Sequence, residues 1–205
     1  MNVYQNHVLP HLIHIACGTA PVRRQREKVV PAASGRVLEI GMGSGLNLPH
    51  YDRNRVERVW GLEPSEGMRR KAAKRVRRTD IPVEWLDLPG EEIPLDDDSV
   101  DTVVLTYTLC SIADWRSALE QMRRVLRPGG LLLFCEHGEA PDASVRRWQQ
   151  RIEPVWKRLA GGCHLARPVP RCLAESGFAI EQMETAYIAG PRFASFNYWG
   201  MAKGR

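Results

Sequence analysis

The chain has 205 residues, 43% of them apolar, a formal net charge of +5 and five cysteines. That length suits one domain with a substantial core, and no apolar stretch reaches the roughly 20 residues that span a bilayer. The cysteines are odd in number and include no C-x-x-C pair, so neither a disulfide framework nor a zinc site is signalled; reduced thiols in a cytoplasmic setting fit best.

In chain order, residues 8–17 are an apolar run interrupted by Pro10, His11 and His14. The run has no basic leader, so it reads as a helix packing over a site and not as an anchor or signal peptide. Residues 1–34 together are expected to form a helical cap. Residues 36–40 form a buried strand that ends in Glu39 and runs into Gly41, Gly43 and Gly45. A helix is expected to begin within residues 44–47 and to be short, because Pro49 follows. A second strand covers 56–62, followed by Glu63 and Pro64. Ser65 is a plausible N-cap for a helix over 66–78, with Glu66 favoured in its first turn. A third strand is expected at 83–86, and a β-branched fourth at 101–106 of the doubly buried type. Residues 115–125 are amphipathic, and Arg127-Pro128-Gly129-Gly130 should stop that helix. A fifth strand follows at 131–135. Residues 139–169 read as a helical insertion, a packed helix or a lid, with Trp148, Ile152, Val155, Trp156 and Leu159 at helical spacing. A short helix at 170–176 and two strands at 178–186 and 195–202 close the chain. Strands alternating with helices imply a doubly wound, mostly parallel seven-stranded α/β sheet with helices on both faces, one domain over 1–205.

A glycine turn at the carboxyl end of the first strand of such a sheet is a nucleotide-cofactor site. The dinucleotide fingerprint G-x-G-x-x-G fits poorly, because Gly45 comes one residue early and Leu46 stands where that pattern wants glycine. The E-x-G-x-G-x-G form resembles motif I of the class I S-adenosylmethionine (SAM) methyltransferases. Residues 95–101 resemble that family's lead into its fourth strand, and residues 124–130 its turn before the fifth. The resemblance runs over about residues 35–203. It implies SAM as cofactor, held by Glu39, Gly41, Met42, Gly43, Ser44, Gly45 and Asn47 of the loop, by Glu63 on the ribose, and by Pro64, Met68, Thr106, Tyr107 and Leu109 around it. Many members place an acid after the third strand to bind adenine. Here Pro89 takes that position, so backbone at Gly90 and Glu91 is expected to hold the base, with Asp87 a weaker candidate.

A narrower resemblance joins Thr106 to Ile112, Glu136-His137, Gly162-Cys163-His164 and the Tyr198-Trp199-Gly200 terminus to the methyltransferase-like alkyl-thiol methyltransferases. It implies a small-molecule thiol acceptor. Those relatives carry an apolar N-terminal membrane segment; none is expected here, so a cytoplasmic location is expected in place of their microsomal one.

A thiol attacks as its thiolate, and a free thiol has a pKa of about 8.5, so a histidine nearby would help. His137, after the fifth strand, is the first candidate and His164 the second; His11 and His14 come third. Each also reads as an ordinary packed or capping residue. Glu136 could orient His137, while Cys110 and Cys163 read as small buried residues. Alternative acceptors are a lipid headgroup or a quinone, and a non-catalytic SAM-binding protein is a third reading. No metal site is expected. The basic run of Arg69, Arg70, Lys71, Lys74, Arg75, Arg77 and Arg78 reads as a solvated helix face, and leaves peripheral contact with an anionic membrane open. It lacks interleaved aromatics, which argues against nucleic acid. The sequence does not fix the oligomeric state.

Overall fold

The computed structural model describes residues 8–204. Seven strands form one sheet: β1 (Gly35–Ile40), β2 (Val56–Leu62), β3 (Val83–Leu86), β4 (Val100–Thr106), β5 (Leu126–His137), β6 (Phe178–Tyr187) and β7 (Phe196–Gly204). Their order is β3-β2-β1-β4-β5-β7-β6. β7 runs antiparallel to both β5 and β6, and the remaining pairs are parallel.

Side chains on a strand alternate between faces, and here both faces are buried. Leu38, Ile40, Val103, Leu105, Leu132 and Phe134 enter one core. Their neighbours Val37, Val104, Leu133 and Cys135 enter a second core on the opposite face. The first core is closed by α4 (Trp115–Val125) and α6 (Val169–Glu175), through Leu119, Met122, Cys172 and Leu173. The second takes Val29 from α2 (Ala20–Val29). Two further helices, α1 (Leu9–Cys17) and α5 (Ala143–Leu159), stand over the sheet's carboxyl edge, and α3 (Glu66–Val76) follows β2.

The helix expected after the glycine turn is absent; a 3₁₀ turn at Leu48–His50 stands in its place. Gly41, Gly43 and Gly45 all have positive φ, and Pro49 cannot donate a helical bond, so an α-helix has no room to start. β5 also begins earlier than expected. Helix α4 does end at Val125, but Leu126 already pairs with Val100 before the register shifts to Thr102 and Leu131. The Arg127–Gly130 turn is therefore an excursion within the strand, tied by Arg127 to Asp101 at 2.7 Å. Helix α3 starts where Ser65 caps it, its hydroxyl accepting from Met68 N at 3.3 Å.

Candidate active site

Strand order reverses between β1 and β4, which is where open α/β sheets bind ligands. A cavity of about 710 Å³ opens there, within the usual size of small-molecule sites. Gly41, Met42, Gly43, Ser44 and Leu46 form one wall, and Glu63, Pro64, Ser65 and Met68 a second. Thr106, Tyr107, Thr108 and Ser111 form the floor toward β4, while α1, α2 and the end of α5 close the remainder.

The loop conformation depends on glycine at two points. A Cβ on Gly41 would lie 2.3 Å from the Thr108 methyl, so the β1 and β4 exits approach too closely for any side chain. Gly43 has φ +58° and faces the cavity, with Met68 Cε 3.3 Å from where a Cβ would stand.

Glu63 is 8% exposed and lines the cavity. One carboxylate oxygen accepts from Gly43 N at 2.9 Å and the other from Ser65 N at 2.8 Å. Burial raises its pKa, opposed by those two amide bonds and by Arg69. Glu39 has a different place. It lies wholly under the loop, accepting from Asn47 Nδ2 at 2.9 Å and Tyr51 OH at 2.7 Å. Burial pushes it up to about 7. Glu39, Asn47 and Gly45 thus shape the turn from behind and do not line the cavity. Leu109 is fully buried in the first core. Gly90 packs toward Ile112 and Ala118, Glu91 accepts from Asp114 N, and Asp87 pairs with Arg69; none of the three lines the cavity.

Arg26, from α2, was not singled out by the sequence. It lines the cavity although only 5% exposed. Its guanidinium donates to Asn47 Oδ1 at 2.9 Å and Thr106 Oγ1 at 2.5 Å and stacks over Tyr107, with Nε buried and unpartnered. In sequence it is one cation in a basic segment; its burial comes from partners 21 and 80 residues away.

The histidines divide. His14 lines the cavity, its Nδ1 2.7 Å from Ser44 Oγ. Burial, then Arg75, Lys71 and His11, lower its pKa. His11 stands at the surface against Lys71. His164 pairs with Glu153 at 2.8 Å, and Glu153 also accepts from Ala166 N. His137 Nε2 lies 3.3 Å from Cys163 Sγ. Cys110 completes a group whose three donor atoms all fall within 4.8 Å of one another. Hydrogen bonding from Cys110 and then His137 holds the Cys163 thiol far below its ordinary value, against burial. Burial pulls His137 down, but its bond to the Cys163 sulfur and the surrounding negative charges outweigh this, so its pKa is raised. Neither His137 nor His164 lines the cavity itself. Ser111 and Gly162, the chain neighbours of Cys110 and Cys163, do, together with Cys17.

The sequence and the fold are similar to those of known proteins. A family described as a methyltransferase domain matches residues 38–134. A human protein named thiol S-methyltransferase TMT1B is 39% identical over 163 residues, covering 77% of this chain and 66% of that protein. A phosphatidylethanolamine N-methyltransferase of Cereibacter sphaeroides is 33% identical over 136 residues, 64% of this chain and 66% of the relative. The chain thus spans just under two thirds of the length of these curated relatives. A solved SAM-dependent methyltransferase of Leishmania major superposes with TM-score 0.71 at 16% identity, over 98% of this chain and 80% of that one. The fold is the Rossmann-like fold of class I methyltransferases. The chain belongs to the SAM-dependent methyltransferase family, among relatives that include the thiol S-methyltransferases.

Proposed function

We propose that this protein transfers a methyl group from SAM to a small-molecule thiol. The observation that carries the reading is the single cavity joining the Glu63–glycine-loop wall to an end walled by Cys17, Ser111 and Gly162. The residues present fit the cofactor. Each Glu63 oxygen keeps an acceptor site beyond its amide bond, suited to a ribose diol. Arg26 has only neutral hydrogen-bond partners and an unpartnered Nε, which suits a carboxylate. Gly41, Met42, Gly43 and Ser44 would take the amino-acid portion, and Pro64 and Met68 would flank the nucleoside. Bound there, SAM supplies an already activated methyl group.

The protein's own work is positioning and drying. Leu9, Pro10 and Ile13 of α1 roof the cavity beside Gly161 and Gly162, and Leu9 packs directly on Gly161. Fixing donor and acceptor in line supplies a large part of the acceleration such a transfer needs. The thiol takes the end beside Ser111 and Gly162, where the adjoining His137 helps stabilise its thiolate. His164, through Glu153, holds the segment that carries Cys163 in place. Five free cysteines suit a reducing compartment such as the cytoplasm, and no helix among the described residues is long and apolar enough to cross a membrane.

The test is a SAM-dependent screen over alkyl thiols, hydrogen sulfide, phosphatidylethanolamine and a demethylquinone, read by product mass. S-methylated product is expected. Strong activity on the lipid amine with none on any thiol would overturn the acceptor. That second reading rests on one observation. Leu12 and Ile15 on α1 and Val155 on α5 are exposed on the two helices that also line the cavity, apolar surface of the kind that meets lipid.

A further inference from the structure

We propose that Cys110, His137 and Cys163 bind a zinc ion, whose fourth position takes the acceptor thiol as thiolate. The two sulfurs and one imidazole nitrogen come from three separate segments: the turn after β4, the end of β5 and the turn after α5. No sequence spacing announces them, yet one donor atom of each lies within 4.8 Å of the other two. The His137 Nε2 to Cys163 Sγ distance is 3.3 Å. A tetrahedral zinc with Zn–N near 2.0–2.1 Å and Zn–S near 2.3 Å needs an edge of about 3.5 Å. The donor set is the N/S combination that selects zinc over the oxygen-loving cations.

The segments are locked together independently of any ion. Glu136 Oε1 accepts from Thr108 N at 2.8 Å and Leu109 N at 3.1 Å, fastening the Cys110 turn to the strand that carries His137. His164 N donates to Cys110 O at 2.8 Å, fastening the Cys163 turn to the Cys110 turn. A site prepared in this way spends little ordering entropy on its ligand.

Three protein donors leave one tetrahedral position open, as in zinc sites that handle a substrate. The cavity lies beside it, through Ser111, Gly162 and Cys17. There a thiol RSH would exchange its S–H bond for an S–Zn bond and release the proton to solvent. The sulfur stays ionised near neutral pH and keeps lone pairs for the methyl group. This last step rests on the thiol reading; the metal site does not.

The test uses the whole chain, stripped of metal with a chelator under a phosphine reductant and titrated with Co²⁺. One cobalt per chain is expected, with tetrahedral visible bands, a thiolate-to-cobalt charge-transfer band and displacement by Zn²⁺. Cys163→Ser and His137→Gln should each weaken Zn²⁺ binding by about a hundredfold, while Cys172→Ala, in the core on α6, leaves it unchanged. An alkyl thiol added without SAM should shift the charge-transfer band. Absence of cobalt binding to the wild-type chain at micromolar concentrations overturns the site, as does an unchanged spectrum in both folded ligand variants. A band indifferent to thiol overturns the fourth-position assignment. Metal binding without thiol methylation would sink the acceptor reading alone, and full thiol methylation by metal-free protein would sink the zinc role alone.

Discussion

Glu63→Ala isolates the cofactor end of the cavity. The carboxylate spends one acceptor site per oxygen on Gly43 N and Ser65 N, at 2.9 and 2.8 Å. The remaining sites are free for two ribose hydroxyls. A hydrogen bond to a charged group is worth about 1.5–3 kcal/mol, so two give about 3–6 kcal/mol. Water entering the vacated space returns part of this, leaving about 2–4 kcal/mol, or a weakening of roughly 30- to 1000-fold. The same substitution strips two amides of their acceptor, so some stability is lost as well. The assay is therefore calorimetric titration with S-adenosylhomocysteine, paired with thermal unfolding to establish that the variant is folded. Glu63→Gln should also bind poorly, because its amide NH₂ must face one of two backbone donors. Burial raises the Glu63 pKa; since the ionised form is the acceptor, affinity should begin to fall at a higher pH on acidification than an ordinary carboxylate would give. A folded Glu63→Ala chain with wild-type affinity would refute the ribose assignment and the cavity reading built on it.

Arg26→Gln should lower S-adenosylhomocysteine affinity at least tenfold, with a smaller loss for an analogue lacking the carboxylate; equal losses for both ligands would count against the charge-pairing role. Gly43→Val should abolish measurable cofactor binding in the same titration, because its side chain would enter the cavity from a backbone held at φ +58°. Glu39 is expected to make stability depend on pH. Its folded pKa is about 7 against 4.5 unfolded, so its contribution is fully present below about 4.5 and lost as pH rises through 7, a change of order 3 kcal/mol at most. The groups facing it are Tyr51, Asn47, Arg26 and Glu63; Glu39→Gln should flatten the denaturation profile between those limits, and an unflattened profile would assign the slope elsewhere. Gln149→Ala should cost about 2–4 kcal/mol in chemical denaturation, because the buried Gln149 amide bonds Ala140 N, Gly138 O, Leu165 O and Phe193 O.

The cofactor side of the protein was legible because it is local. β2, β3 and α4 have the bounds that their apolar patterns and flanking breakers imply. The glycine turn and Glu63 lie within 23 residues of each other and face the same cavity. What the sequence concealed is set by contacts between distant segments. The early start of β5 depends on Leu126 pairing with Val100, which no window around Pro128 reveals. Glu39 reads as a residue facing the cofactor, and only its bonds to Tyr51 and Asn47 show that it lies beneath the loop, off the cavity lining. His137 and Cys163 belong to two segments of one resemblance, but their approach to 3.3 Å across 26 residues requires the α5 segment to fold back over the sheet edge.

The two ends of the cavity are joined by one strained residue. Tyr107 has φ +54°, one of two non-glycine residues described in the left-handed region, a conformation that costs of order 1–3 kcal/mol. Several contacts hold it there. Its N–H donates to Cys135 O at 2.9 Å, its hydroxyl to Asn197 Oδ1 at 2.6 Å, and Arg26 stacks on its ring. The turn it makes carries Thr106 toward Arg26 and Asn47 on the cofactor side. It also carries Thr108 and Leu109 onto Glu136, beside His137. A relaxed extended residue would continue β4 and separate those two sets of contacts. The strain is therefore what allows one strand end to face both the glycine loop and the Cys110–His137–Cys163 group. The strand that supplies the floor of the cavity also orders the Cys110–His137–Cys163 group, so on the proposed reading the relative placement of methyl donor and acceptor is built into the fold before either ligand binds.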